Sequence, residues 1–218
     1  MSKVKKIIIA ALIFVVLAIV AMIPIPYVIE SPGTAEEVSQ FLTISGAKDE
    51  DPGSLRVLTV YVEQATVLTY FKKFLKHHEM VPSEEVFGDY TPEEFDTLQD
   101  FSMRNARSKA VRVAFEAAGK TVERHVNGIF VTRVDPNSNF RDKLKVGDII
   151  ETIDGKSPGN TDESFEELRD YLASLEPGHT LVLQVKRDDA TMSIRGQLKM
   201  DSRTGGIRLG FGGEVDED

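Results

Sequence analysis

The hydrophobic pattern opens with its longest unbroken apolar stretch, the 17 residues from Ile7 to Ile23. A bilayer core takes roughly 20 residues of helix, and Ile25, Tyr27 and Val28 carry the apolar character past Pro24. No polar face interrupts the run, which argues against a buried soluble helix. It is longer than the roughly 7 to 15 residue core of a secretory signal, and no A-x-A site follows it. The pattern therefore predicts an uncleaved transmembrane helix within residues 1–29. Lys3, Lys5 and Lys6 precede it and Glu30, Glu36 and Glu37 follow, so the positive-inside rule places the N-terminus in the cytoplasm and the bulk outside.

After the prolines at 24, 26 and 32, which are expected to end that helix, the periodicity changes. Leu55 to Val62 (L-R-V-L-T-V-Y-V) reads as a strand. Thr66 to Lys76 reads as a short helix, with Val67, Phe71, Phe74 and Leu75 on one face. Val81 to Tyr90 is polar and irregular. Thr91-Pro92-Glu93-Glu94 has the form of a helix start, predicting a helix to Ala118 that Gly119 stops. Strands are then predicted at Gly128 to Val134 and Ile149 to Ile153, and a helix at Asp162 to Leu175 with Phe165, Leu168, Leu172 and Leu175 on one face. A hairpin, Thr180 to Lys186 and Thr191 to Lys199, turns at Asp188-Asp189. The closing G-F-G-G-E-V-D-E-D reads as a frayed acidic tail. The fold class is α+β. Residues 1–29 are the cytoplasmic lysines and membrane helix, and 120–200 a small β-sandwich or barrel with flanking helices. Between them, 30–119 form an α/β segment packing on that small domain, and 201–218 are the tail.

Composition narrows the chemistry. A net charge of -9 and a pI near 5.1 exclude the basic surface by which nucleic-acid binders displace phosphate counterions. With no cysteine there are neither disulfides nor thiolate metal sites. Ser45-Gly46-Ala47-Lys48 satisfies S-x-x-K, but it lies in a glycine- and acid-rich segment without the companion motifs of a serine-lysine site. His77-His78-Glu79 lacks metal-ligand spacing. The acid pairs Glu84-Glu85 and Glu166-Glu167 read as solvated faces, as do Arg124 and His125. No phosphate-binding glycine loop occurs, so the sequence points to no catalytic residue, no metal and no cofactor.

Strand, Pro/Ser loop, Gly-Asp turn, strand, Asp-Gly turn, helix and hairpin occur in that order from Gly128 to Lys199. With V-N-G-I (Val126 to Ile129), F-V-T-R-V, D-P-N-S (Asp135 to Ser138) and L-K-V-G-D-I-I-E-T-I-D-G (Leu144 to Gly155), this order resembles a PDZ domain of the bacterial type. The resemblance implies that an extended or C-terminal peptide adds as a strand beside an exposed sheet edge. It assigns the backbone amides of Asn127, Gly128 and Ile129 to the ligand's carboxylate. Ile129 and Val131 would line the groove, with Leu168 and Leu172 as its opposite wall.

The apolar anchor, P-Y-V-I-E-S-P-G-T-A-E-E-V (Pro26 to Val38), L-T-V-Y-V and M-R-N-A-R-S-K-A-V-R-V-A (Met103 to Ala114) precede that segment. This order is similar to the membrane-anchored Lon-like serine proteases of Gram-positive bacteria, in which a serine-lysine protease domain follows the PDZ module. Here the chain ends nine residues after G-I-R-L (Gly206 to Leu209). The expectation is a non-catalytic, peptide-selecting membrane protein of such a system, with a separate protease subunit as a possible partner. The alternatives are a piece of a complete endopeptidase whose protease domain follows residue 218, and a membrane scaffold.

Overall fold

A computed structural model describes residues 3–41, 53–200 and 207–217; Ser45 to Lys48 fall outside them. The elements are α1 (Lys3–Ala21), β1 (Pro24–Glu37), β2 (Arg56–Thr66), β3 (Glu79–Pro82), α2 (Ser83–Phe87), α3 (Pro92–Ala117), β4 (Val126–Val134), β5 (Ile149–Ile153), α4 (Asp162–Ala173), β6 (Thr180–Arg187), β7 (Ala190–Gln197), β8 (Lys199–Met200), β9 (Ile207–Arg208) and β10 (Phe211–Glu217). They form two compact units, divided between Asp89 and Tyr90.

In the first unit α1 buries none of its residues and is long and apolar enough to cross a membrane. It ends at Ala21, before the prolines, because Pro24 already begins a strand. β1 is the middle strand of a sheet in the order β2-β1-β3 and contains Pro26 and Pro32. Pro32 is tolerated because β3 pairs only with Tyr27 to Glu30, so at Pro32 only one side of the strand needs a partner. The core is small, with Val28, Ile29 and Ala65 almost fully enclosed. The helix expected over Thr66 to Lys76 is a 3-10 turn at Thr69–Phe74. The stretch expected to be irregular carries β3 and α2.

In the second unit α3 begins as the sequence predicts. Thr91 accepts from Glu94 N–H at 3.2 Å while Glu94 accepts from Thr91 N–H at 2.9 Å, a reciprocal cap, and Gly119 follows the helix with φ +71°. Rather than siding with residues 30–119, α3 packs within this second unit, where Phe101 stacks on Phe130 of β4 with ring centroids 3.9 Å apart. The sheet runs β10-β4-β5-β6-β7, antiparallel throughout. α4 starts from a second reciprocal cap, Thr161 with Ser164. Its Leu168 joins Val131, Phe140, Leu144, Ile150, Ile153 and the apolar residues of β6 and β7 in one core.

The Gly-Asp turn is fastened by a buried carboxylate. Asp148 accepts from Lys145 N–H at 2.8 Å and from Arg187 Nε at 2.6 Å, and Arg187 also donates to the Lys143 carbonyl. The expected frayed tail is not frayed over residues 211–217. They are β10, paired with β4 from Phe211↔Val134 to Glu217↔Val126.

Candidate functional site

β4 was the expected edge, and its residues occupy other roles. Along it Ile129 and Val131 share one face and Phe130 takes the other, as strand alternation requires. That first face is the core: Val131 is fully enclosed and Ile129 packs against the same cluster. β5 pairs with β4 at Ile129 and Phe130, and β10 covers its other side. β10 pairs along β4 from Val126 to Val134, so a peptide added on that side would have to displace β10. Leu168 is buried in the core and Leu172 packs on it. Gly128 has a local reason to be glycine, because a Cβ there would stand 2.6 Å from the Ile150 carbonyl oxygen of β5. Asn127 is half-buried at the start of the strand. The four β4 residues lie beside β10 in the same sheet: Val215 is opposite Ile129, Asp216 opposite Gly128 and Gly213 opposite Val131.

The sheet's outer strands are β7 and β10, and they differ in how far their edges are blunted. On β7 the Arg195 carbonyl accepts from Lys143 Nζ at 2.6 Å and the Gln197 carbonyl from Asn139 Nδ2 at 2.8 Å. Residues two apart present their carbonyls to the same side, so the loop Asn139–Lys143 occupies that edge and protects it from further pairing.

β10 is entered through a tight turn. Gly210 has φ +81°, and a Cβ there would meet the Ser138 side chain at 2.3 Å, so both backbone and space demand glycine. Its carbonyl accepts from Asp135 N–H at 2.9 Å. Phe211 then turns inward, edge-on to Phe140 with centroids 5.4 Å apart. Beside the turn lies a cavity of about 260 Å³ lined by Arg133, Asp135, Arg208, Leu209, Gly210 and Phe211. Arg208 pairs with Asp135. Arg133 is exposed, and no carboxylate pairs with it among the described residues.

The far end of β10 is held by buried charge. Asp216 and Glu217 are 1% and 2% exposed. Arg104 of α3 stands 3.4 Å from Asp216, Arg112 of α3 stands 3.4 Å from Glu217, and Arg124 binds Glu217 through Nε. Arg124 also reaches Asp162 in the first turn of α4 at 2.9 Å. One guanidinium therefore links the end of β10 to the start of α4, where the sequence suggested a solvated side chain. Burial alone would lower the Arg112 pKa, but the charge of Glu217 and hydrogen bonds to Glu116 and Glu217 raise it. The group stays cationic. Sequence reasoning missed β10 because glycines and acids dominate it. The available signal was Phe211 and Val215, two apolar residues in an otherwise polar tail.

His77 and His78 stand in the turn before β3, with His78 Nδ1 3.1 Å from the Lys76 carbonyl. No group of three His, Asp or Glu side chains able to hold a metal occurs among the described residues.

Residues 102–198 match the PDZ domain family. The chain carries a PDZ domain. Its match begins within α3, earlier than the sequence division at residue 120, and runs through β7. Part of the chain is also similar to solved domains, two of them PDZ domains. That of an SdrC-like protein from Listeria monocytogenes is 26% identical with a TM-score of 0.34, covering 43% of this chain and 90% of that one. That of an SdrC-like protein from Listeria innocua is 25% identical with a TM-score of 0.35, covering 40% and 94%. The second domain of a Listeria protein, solved in solution, is 22% identical with a TM-score of 0.32, covering 45% and 90%. No curated protein matches the chain. PDZ domains bind peptide segments by strand addition at a sheet edge, which turns the question to which edge this one offers.

Proposed function

We propose that this chain is a membrane-anchored peptide-recognition protein whose PDZ domain takes an extended peptide along the outer edge of β10. The observation that supports this most is the asymmetry of the sheet's two edges: on β7 the outward carbonyls of Arg195 and Gln197 are occupied, β4 lies between β10 and β5, and β10 is the other terminal strand. Strand addition there supplies main-chain hydrogen bonds, and the glycine turn with Arg133 beside it suits a terminal carboxylate. Asn127, Gly128, Ile129 and Val131 support the recognition strand from the neighbouring strand, and Leu168 and Leu172 fix α4 on the same core. α1 crosses the bilayer once, with the N-terminus in the cytoplasm and the chain after α1 outside. The order of anchor, first unit and PDZ domain resembles the non-catalytic part of Lon-like serine proteases, so the bound segments are exported proteins presented to a protease.

A second reading rests on the antiparallel pairing of β10 with β4: the chain's own segment fills a groove on β4 that a ligand would otherwise occupy. Deleting residues 211–218 from the detergent-solubilised full chain and measuring binding to a library of free-carboxylate peptides separates the two. Loss of binding, with the thermal transition of the domain retained, is the expected result. Stronger binding after the deletion would transfer the site to β4 and make β10 an intramolecular competitor.

A further inference from the structure

The turn after β2 is fastened to the end of the apolar helix. Val67 N–H donates to the Ile23 carbonyl at 3.1 Å and Leu68 N–H to the Ala21 carbonyl at 3.0 Å. α1 has 19 residues, roughly 28 Å at about 1.5 Å per residue. A hydrocarbon core is about 30 Å thick, so a helix of this length that spans a bilayer brings Ala21 to Ile23, and the turn bonded to them, to its outer boundary. The turn is built for that level. Leu68, Phe71 and Phe74 are 65%, 66% and 74% exposed, and Tyr70 and Leu75 adjoin them. Apolar side chains this large and this close together mark a contact surface rather than an ordinary solvated loop.

The charges fit one occupant. From Thr66 to His78 the sequence T-V-L-T-Y-F-K-K-F-L-K-H-H has three lysines and no acid, in a chain of net charge -9. Lys73 Nζ lies 3.7 Å from the centre of the Tyr70 ring and 5.0 Å from that of Phe74, and Lys72 bonds Glu63 of β2 at 2.5 Å. Aromatic residues interleaved with lysines at the end of a membrane helix match the headgroup layer, where rings enter the acyl boundary and ammonium groups meet phosphate.

We propose that Leu68 to Lys76 is an interfacial lipid-binding turn: Leu68, Phe71 and Phe74 enter the outer leaflet and Lys73 and Lys76 contact anionic headgroups, while Lys72 is held by Glu63. The turn thereby fixes the first unit's orientation to the bilayer. The inference rests on α1 spanning the membrane, and its test separates the two. The protein has no cysteine, so Phe71→Cys, Phe74→Cys, Leu58→Cys and Val15→Cys each give one labelling site. All four residues are exposed, so none of the changes removes a buried group. Leu58 lies eight residues up β2 from Thr66, roughly 27 Å of extended strand, and serves as the aqueous reference.

Each full-length variant carries an environment-sensitive fluorophore and is reconstituted in vesicles of equal parts phosphatidylcholine and phosphatidylglycerol. Val15 should be quenched by brominated acyl chains, and Leu58 by aqueous iodide alone. Phe71 and Phe74 should be quenched by bromines near the headgroup and should lose most of the iodide quenching that Leu58 shows. With Val15 in lipid, iodide quenching at Phe71 and Phe74 equal to that at Leu58 would overturn the proposal. Shielding from both quenchers would do the same, because it would indicate a protein partner over the turn. Iodide access at Val15 would instead refute the membrane span, and the interfacial turn with it.

Discussion

Asp154 shows what a single side chain does in the Asp-Gly turn. It has φ +50°, a left-handed conformation that aspartate tolerates better than most residues. Its carboxylate accepts from Val182 N–H at 2.7 Å, Tyr171 Oη at 2.7 Å and His179 Nε2 at 2.8 Å. Burial would raise its pKa, but these bonds outweigh burial and hold it below the usual carboxylate range. A depressed folded value gives stability that is complete above the unfolded pKa of about 3.9 and lost as pH falls through the folded one. Asp154→Asn should cost about 2 kcal/mol at neutral pH, with the difference from the parent shrinking below about pH 4. Urea unfolding across that range measures it, and a constant difference at every pH would refute the assignment. Gly128 carries a different lesson. The sequence offers a ligand-facing glycine there, while the Ile150 carbonyl 2.6 Å from the Cβ position accounts for it without any ligand.

Among the elements, α3 and β10 are the contrasting pair. α3 is legible because its signals are local: a capping threonine, proline at the first position, acids in the first turn and a terminating glycine act within a few residues of one another. β10 is not, because what makes it a strand is remote. Its seven residues, F-G-G-E-V-D-E, have little strand preference of their own. They are held by pairing to β4 and by Arg104, Arg112 and Arg124, which lie about a hundred positions earlier. Removing Arg124 would leave the buried Glu217 with only the more distant Arg112 among the described residues. Arg124→Ala should destabilise the domain by about 3 kcal/mol and speed amide exchange in β10 more than in β6. Equal effects on both strands would show that Arg124 supports the domain in general rather than the recognition strand.

For the whole molecule, the proposed arrangement is one membrane helix, α1, with the rest of the chain on the outer side. Full-length protein tagged at its N-terminus and treated with protease in intact spheroplasts should lose the chain beyond α1 and retain a tagged fragment near the size of α1. Complete protection would reverse the topology. Recovery of both units in the soluble fraction of untreated cells would mean that the apolar segment is removed.

The sequence by itself determined the apolar helix, the two capped helices α3 and α4, the hairpin of β6 and β7, and the PDZ domain's turn-strand-turn at Lys143 to Lys156. All of these arise from short-range periodicity, capping and turn chemistry. The tertiary structure alone decided which strands pair and which stand at the ends of the sheet. Strand pairing is a long-range event that local preference does not encode: the chain returns at Phe211 to cover β4 and presents a new edge in its place. For the same reason Ile129, Val131, Leu168 and Leu172, read from the sequence as the walls of a groove, lie in or against the hydrophobic core.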